Sequence, residues 1–84
     1  MTAQEVKDYL LEHGCEGAAV WDDFAGAFIG STSDGRAVYS FDKMVEILMS
    51  EGETEEDAKD YIDYNCIGWR VTDMDPVILF PVRE

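Results

Sequence analysis

The sequence predicts an α+β domain, with a small, mostly antiparallel sheet and three helices, in the order α-β-β-β-α-α-β-β. Three observations carry this. Apolar residues recur at helical spacing behind the capping residues Thr2, Ser40 and Thr54. Asp34-Gly35 sits between two short β-like runs, a strong hairpin signal. Two further apolar runs, residues 66–72 and 76–82, close the chain.

The first helix, residues 2–13, opens on a capping box, with Thr2 at the N-cap and Glu5 three residues on. Val6, Tyr9, Leu10 and His13 follow at helical spacing, and Gly14 suits the left-handed position past the end. The stretch "GAAVWDDFAGAFIG", residues 17–30, has a helical stripe at Trp21, Phe24, Ala25 and Phe28, but its glycines weaken a helix. A short strand over residues 18–21 is expected there. A two-residue type I′ turn at Asp34-Gly35 pairs residues 29–33 with 36–40 and sets Tyr39 opposite Gly30.

Ser40 caps the second helix, whose stripe is Phe41, Met44, Val45 and Leu48, broadened by Ile47, and Gly52 ends it. Thr54 caps the third, with Asp57 at the capping-box position and Ala58, Tyr61 and Ile62 expected to face inward. Pro76 and Pro81 bracket the last strand, which is therefore expected to be short or at an edge.

The 84 residues suit a single domain, 1–84, and 46% apolar content is enough for one modest core. Nineteen acids against six bases give a net charge of −13. That balance disfavours nucleic acid and anionic membranes and favours solubility, cations or a basic protein partner. The polar, acidic start lacks a basic region ahead of an apolar run, and no stretch approaches the length of a membrane span. A cytoplasmic setting is expected, with Cys15 and Cys66 as reduced thiols.

The segments "AFIGSTSDGRAVYSFDKMVEILM", "TEEDAKDYIDYN" and "PVILF" resemble a family of small, acidic, uncharacterised proteins of Firmicutes and their phages and mobile elements. The resemblance covers roughly residues 25–80. "DGRAVY" and "YN" are its more specific segments. After "YN" that family carries Thr-Ile-Arg and then a Pro-Tyr pair, where here Cys66, Ile67 and Gly68 lead into Trp69 and Arg70. No role of those residues carries over. What the resemblance implies is a setting, a bacterial mobile element, in which small acidic proteins often inhibit host defence.

The residues offer little catalytic chemistry, and no enzyme activity, cofactor or metal is expected. His13 and Cys15 straddle a helix end, where a histidine complements the helix dipole. With Cys66 they make three ligands, short of the four that a structural zinc site uses. Asp22-Asp23 and Asp73-Met74-Asp75 read as turn carboxylates, and the latter lacks the glycine and distal glutamate of an EF-hand. "SDGR" leads into a strand, so it is no phosphate loop.

The most unusual stretch is "EGETEEDAKDYIDYN", residues 51–65, with seven carboxylates and one lysine. Glu55, Glu56 and Asp57 favour the positive end of the third helix, and Glu55 pairs with Lys59. Asp60 and Asp63 fall outside that account, because they approach the negative end, and Asp60 repels Glu56. With Glu51 and Glu53, the residues Glu56, Asp60 and Asp63 form an acidic ridge, its neighbours about 5–6 Å apart, of the order of the charge spacing on a nucleic-acid strand. Two functions are expected to compete. One is a protein-binding, anti-CRISPR-like inhibitor whose ridge enters a basic groove on a nucleic-acid-handling protein, with Tyr64 and Trp69 as aromatic anchors. The other is a self-associating accessory domain, a possible homodimer, that pairs through an edge strand near residues 66–82 and whose negative charge serves only solubility.

Overall fold

A computed structural model describes residues 2–15, 17–67 and 75–82, and the fold is α+β. Helix α1, Ala3–Glu12, opens on the expected capping box: the Thr2 hydroxyl accepts from the Glu5 N–H, and the Glu5 carboxylate accepts from the Thr2 N–H. It ends in a Schellman motif. The Gly14 N–H reaches the Leu11 carbonyl and the Cys15 N–H the Leu10 carbonyl, with Gly14 at φ 74°.

Residues 18–21 form no strand. The Trp21 N–H is donated to the Tyr39 hydroxyl at 3.0 Å rather than to a strand partner. A 3₁₀ segment, Asp22–Ala27, follows, kinked at Phe24. It tucks Phe24, Ala25 and Ala27 into the core, so the helical stripe read there is real, while the glycines limit it to tight turns.

Strands β1, Phe28–Ser31, and β2, Ala37–Ser40, make the expected antiparallel hairpin in a shifted register. Thr32 pairs with Arg36, so the loop has three residues rather than two. Only Gly35 takes a left-handed conformation, at φ 87°, whereas a type I′ turn would also need it at Asp34. The Thr32 hydroxyl accepts from the Arg36 N–H and bonds the Asp34 carboxylate, which pairs with the Arg36 guanidinium at 3.1 Å. These contacts close the longer loop. Gly30 therefore faces Val38, and a bulge at Ile29 lets Tyr39 face Phe28 instead of Gly30.

Helix α2, Phe41–Ser50, begins at the Ser40 cap and ends in a second Schellman motif around Gly52, at φ 106°. Helix α3, Glu55–Ile62, begins at Thr54, whose hydroxyl accepts from the Asp57 N–H. It runs on into a π-helical turn, Asp63–Ile67. Residues 66 and 67 are thus helical, not the start of a strand, and the rest of the strand expected over 66–72 lies outside the described residues.

Strand β3, Val77–Leu79, is short and at an edge, as expected, but it pairs parallel with β2, so the sheet is mixed rather than mostly antiparallel, in the order β1-β2-β3. The reason is the connection. Two helices between β2 and β3 make a crossover, which returns the chain in the same direction, whereas a tight turn reverses it. The core lies between sheet and helices, and its largest fully buried side chains are Tyr39, Met44, Ile62 and Val6.

Candidate functional site

The acidic ridge grows from the junction of α2 and α3. The Schellman bonds, Gly52 N–H to Met49 and Glu53 N–H to Leu48, fix the turn that carries Glu51 and Glu53. The Thr54 cap then starts an eight-residue helix, about 12 Å long at 1.5 Å per residue. Ala58 and Ile62 are fully buried and define its inner side. Glu56, Asp60 and Asp63, spaced i, i+4 and i+7, lie on the opposite face. All five ridge carboxylates are exposed. Lys59 pairs with Glu55 at 3.0 Å, so it is engaged beside the ridge residues.

The expected anchors fare differently. Tyr64 is 77% exposed, an uncovered aromatic at the end of the ridge. Trp69 lies outside the described residues. Tyr61 is 46% exposed, which corrects its expected inward orientation. Its position, one residue before Ile62, puts it on the flank of α3 rather than at the centre of the buried stripe.

That flank borders a feature the sequence reading did not assemble. Two adjoining depressions, about 260 and 250 Å³, share Asp23, Phe24 and Tyr61 and so form one groove between the 3₁₀ segment and α3. Trp21, Asp22 and Cys66 extend it at one end, and Ile47, Leu48 and Glu51 at the other. The Trp21 backbone N–H is bonded to the Tyr39 hydroxyl, and its ring contacts Tyr39 at 5.1 Å and Phe24 at 6.5 Å. Asp22 and Asp23 lie in the first turn of the 3₁₀ segment. The signal that could have joined them to a site is "WDDF", where an aromatic on each side flanks two carboxylates.

The electrostatics follow from burial. Desolvation of the fully buried Tyr39 ring raises its phenol above the ordinary value, opposed by the Trp21 N–H. Burial likewise raises the Cys66 thiol, which makes it less of a nucleophile. The bond from Thr32 lowers the exposed Asp34, helped by Arg36. Cys15 and Cys66 are free thiols. The buried Cys15 thiol donates to the His13 carbonyl, while the His13 ring stacks on Tyr9 at 4.0 Å and its Nδ1 bonds the Tyr9 carbonyl. Thiol and imidazole are thus each engaged elsewhere. Among the described residues no three His, Cys, Asp or Glu side chains converge as a metal site, and no helix is long and apolar enough to cross a membrane.

No protein-family model matches the chain, and neither do any curated protein or solved structure.

Proposed function

We propose that this is a non-enzymatic binding protein that inhibits a bacterial nucleic-acid-handling protein by placing the acidic face of α3 in its basic groove. In the mobile-element setting that the resemblance implies, it would act in the host cytoplasm as an anti-defence, anti-CRISPR-like protein. The single observation that supports this most is the placement of Glu51, Glu53, Glu56, Asp60 and Asp63, all exposed, with Tyr64 uncovered beside them. A negative face of this kind speeds encounter with a basic surface, and the aromatic supplies a contact that charge alone does not.

The test begins with capture of the partner from a bacterial lysate and its identification by mass spectrometry. Association rates are then compared between the native chain and a Glu56→Gln, Asp60→Asn, Asp63→Asn triple variant at two salt concentrations. The variant loses three of 13 net negative charges. Steering raises encounter rates about ten- to a thousandfold, and losing roughly a quarter of that effect on a logarithmic scale slows association about two- to fivefold. Equal rates and equal salt slopes would sink the proposal.

A second reading rests on β3. Among the described residues it is an edge strand, and its last residue, Leu79, with Phe80 and Val82 beyond it, is 51%, 56% and 93% exposed in turn. An open apolar edge suits pairing with a second copy. A concentration-dependent dimer in sedimentation that a Val82→Lys change dissolves would favour this homodimer over the inhibitor.

A further inference from the structure

We infer that the groove between the Asp22–Ala27 segment and α3 is an anchor site for an arginine side chain on a basic protein segment. It shares only Glu51 with the acidic ridge and goes beyond the proposed function in naming a second contact with its own chemistry. Shape comes first. The groove is elongated, two adjoining depressions of about 260 and 250 Å³ that meet at Asp23, Phe24 and Tyr61. A single extended side chain suits this shape better than a compact ligand.

The lining then selects the side chain. Phe24 lies buried beneath the groove, with Trp21 and Tyr61 beside it. Asp22 stands at one end, Asp23 where the two halves meet and Glu51 at the other end, and among the described residues no Lys, Arg or His lines either half. Aromatic faces and carboxylates are both negative, so an apolar or anionic group gains from at most one of them, and a cation from both. Arginine fits better than lysine, because its planar guanidinium stacks on a ring while it forks two donors onto a carboxylate. One internal cation competes: Lys7 lies 3.8 Å from Asp22, both half-exposed. A long, exposed pair of that kind is weak and is displaced at little cost. The groove is also preorganised. The Trp21 main chain is held by the Tyr39 hydroxyl and its ring by contacts with Phe24 and Tyr39, so binding need not order it.

The test is a titration of the whole isotope-labelled protein, followed by amide NMR. Three probes are used: the blocked tetrapeptide Gly-Arg-Arg-Gly and its lysine and glutamine counterparts. The arginine peptide should give saturable shifts at Trp21, Asp23 and Tyr61, the lysine peptide weaker ones and the glutamine peptide none. Tyr61→Ala should weaken arginine-peptide binding about three- to tenfold, the size of one partly exposed cation–π contact. Asp23→Asn, at an exposed site, should weaken it too and serves if the tyrosine variant unfolds. The Glu56, Asp60 and Asp63 triple variant should leave these groove shifts in place, so failure here and failure of the ridge are told apart. Absent saturation at the groove, or equal arginine and lysine responses centred on Glu56, Asp60 and Asp63, would overturn the inference.

Discussion

Replacing Tyr39 with Phe removes one oxygen from the centre of the molecule and tests how the groove wall is held. The ring is fully buried, and its hydroxyl accepts the Trp21 N–H at 3.0 Å. Phe keeps the ring contacts with Phe28 and Trp21 and deletes only the acceptor. A half-buried N–H left without a partner costs about 1 kcal/mol, the low end of the range because Trp21 is partly open to water. For a domain of this size that lowers Tm by about 4–8 °C at neutral pH. The same change has a second signature in alkali. The folded phenol titrates above its ordinary value because it is buried. Below about pH 9 it is neutral in both states, and its contribution is fully present. As pH rises further the unfolded chain loses the proton first, so stability falls until the folded phenol ionises as well. The parent should therefore lose Tm between about pH 9 and pH 11 more steeply than the variant. Thermal unfolding followed by circular dichroism across that range checks both effects. An unchanged Tm at neutral pH, or an alkaline limb as steep in the variant as in the parent, would refute the reasoning.

Moderate salt should raise Tm, since 19 carboxylates face six bases and the Debye length shrinks to about 10 Å at 0.1 M; a Tm that falls between low and moderate sodium chloride would show that favourable ion pairs dominate. Ile62→Ala should cost about 2–5 kcal/mol in urea unfolding, because the side chain is fully buried on the inner face of α3, and a loss below 1 kcal/mol would mean that α3 is loosely packed. Gly35→Ala forces a Cβ into the left-handed conformation at φ 87° and should cost about 1–2 kcal/mol; a neutral result would show that the loop can adopt another turn.

What the sequence made legible was local. Thr2, Ser40 and Thr54 cap helices because their hydroxyls meet the N–H three residues on, a bond set by neighbours in the chain. The apolar stripe of α2 required nothing beyond its own period. The errors arise where one local bond tips a balance or where distant parts decide. Asp34-Gly35 is compatible with both hairpin loops, and the choice fell to Thr32, which bonds Asp34 and Arg36 together. The direction of β3 depends on a two-helix crossover that no feature of "PVILF" encodes. Residues 18–21 look like a strand but spend the Trp21 donor on a tyrosine 18 residues away. The groove was invisible for the same reason, since Trp21, Asp23, Glu51 and Tyr61 meet only once the 3₁₀ segment packs against α2 and α3.

The acidic ridge shows how a structural detail changes a sequence argument without removing it. From sequence, Asp60 and Asp63 approach the negative end of their helix and look costly twice over. In the structure Asp63 keeps helical angles, φ −59° and ψ −45°, and the chain continues as a π turn to Ile67. The unsatisfied carbonyls therefore move beyond Asp63, and since the dipole effect is confined to the last turn, most of its penalty on Asp60 disappears. What remains is repulsion between Glu56 and Asp60 at i, i+4, roughly 0.2–0.5 kcal/mol, unrelieved by Lys59, which is paired with Glu55. The cost of the ridge to the fold is thus smaller than the sequence suggests, and so is the stability the triple variant should gain. A change in partner association on neutralising these residues would then be read with little interference from folding.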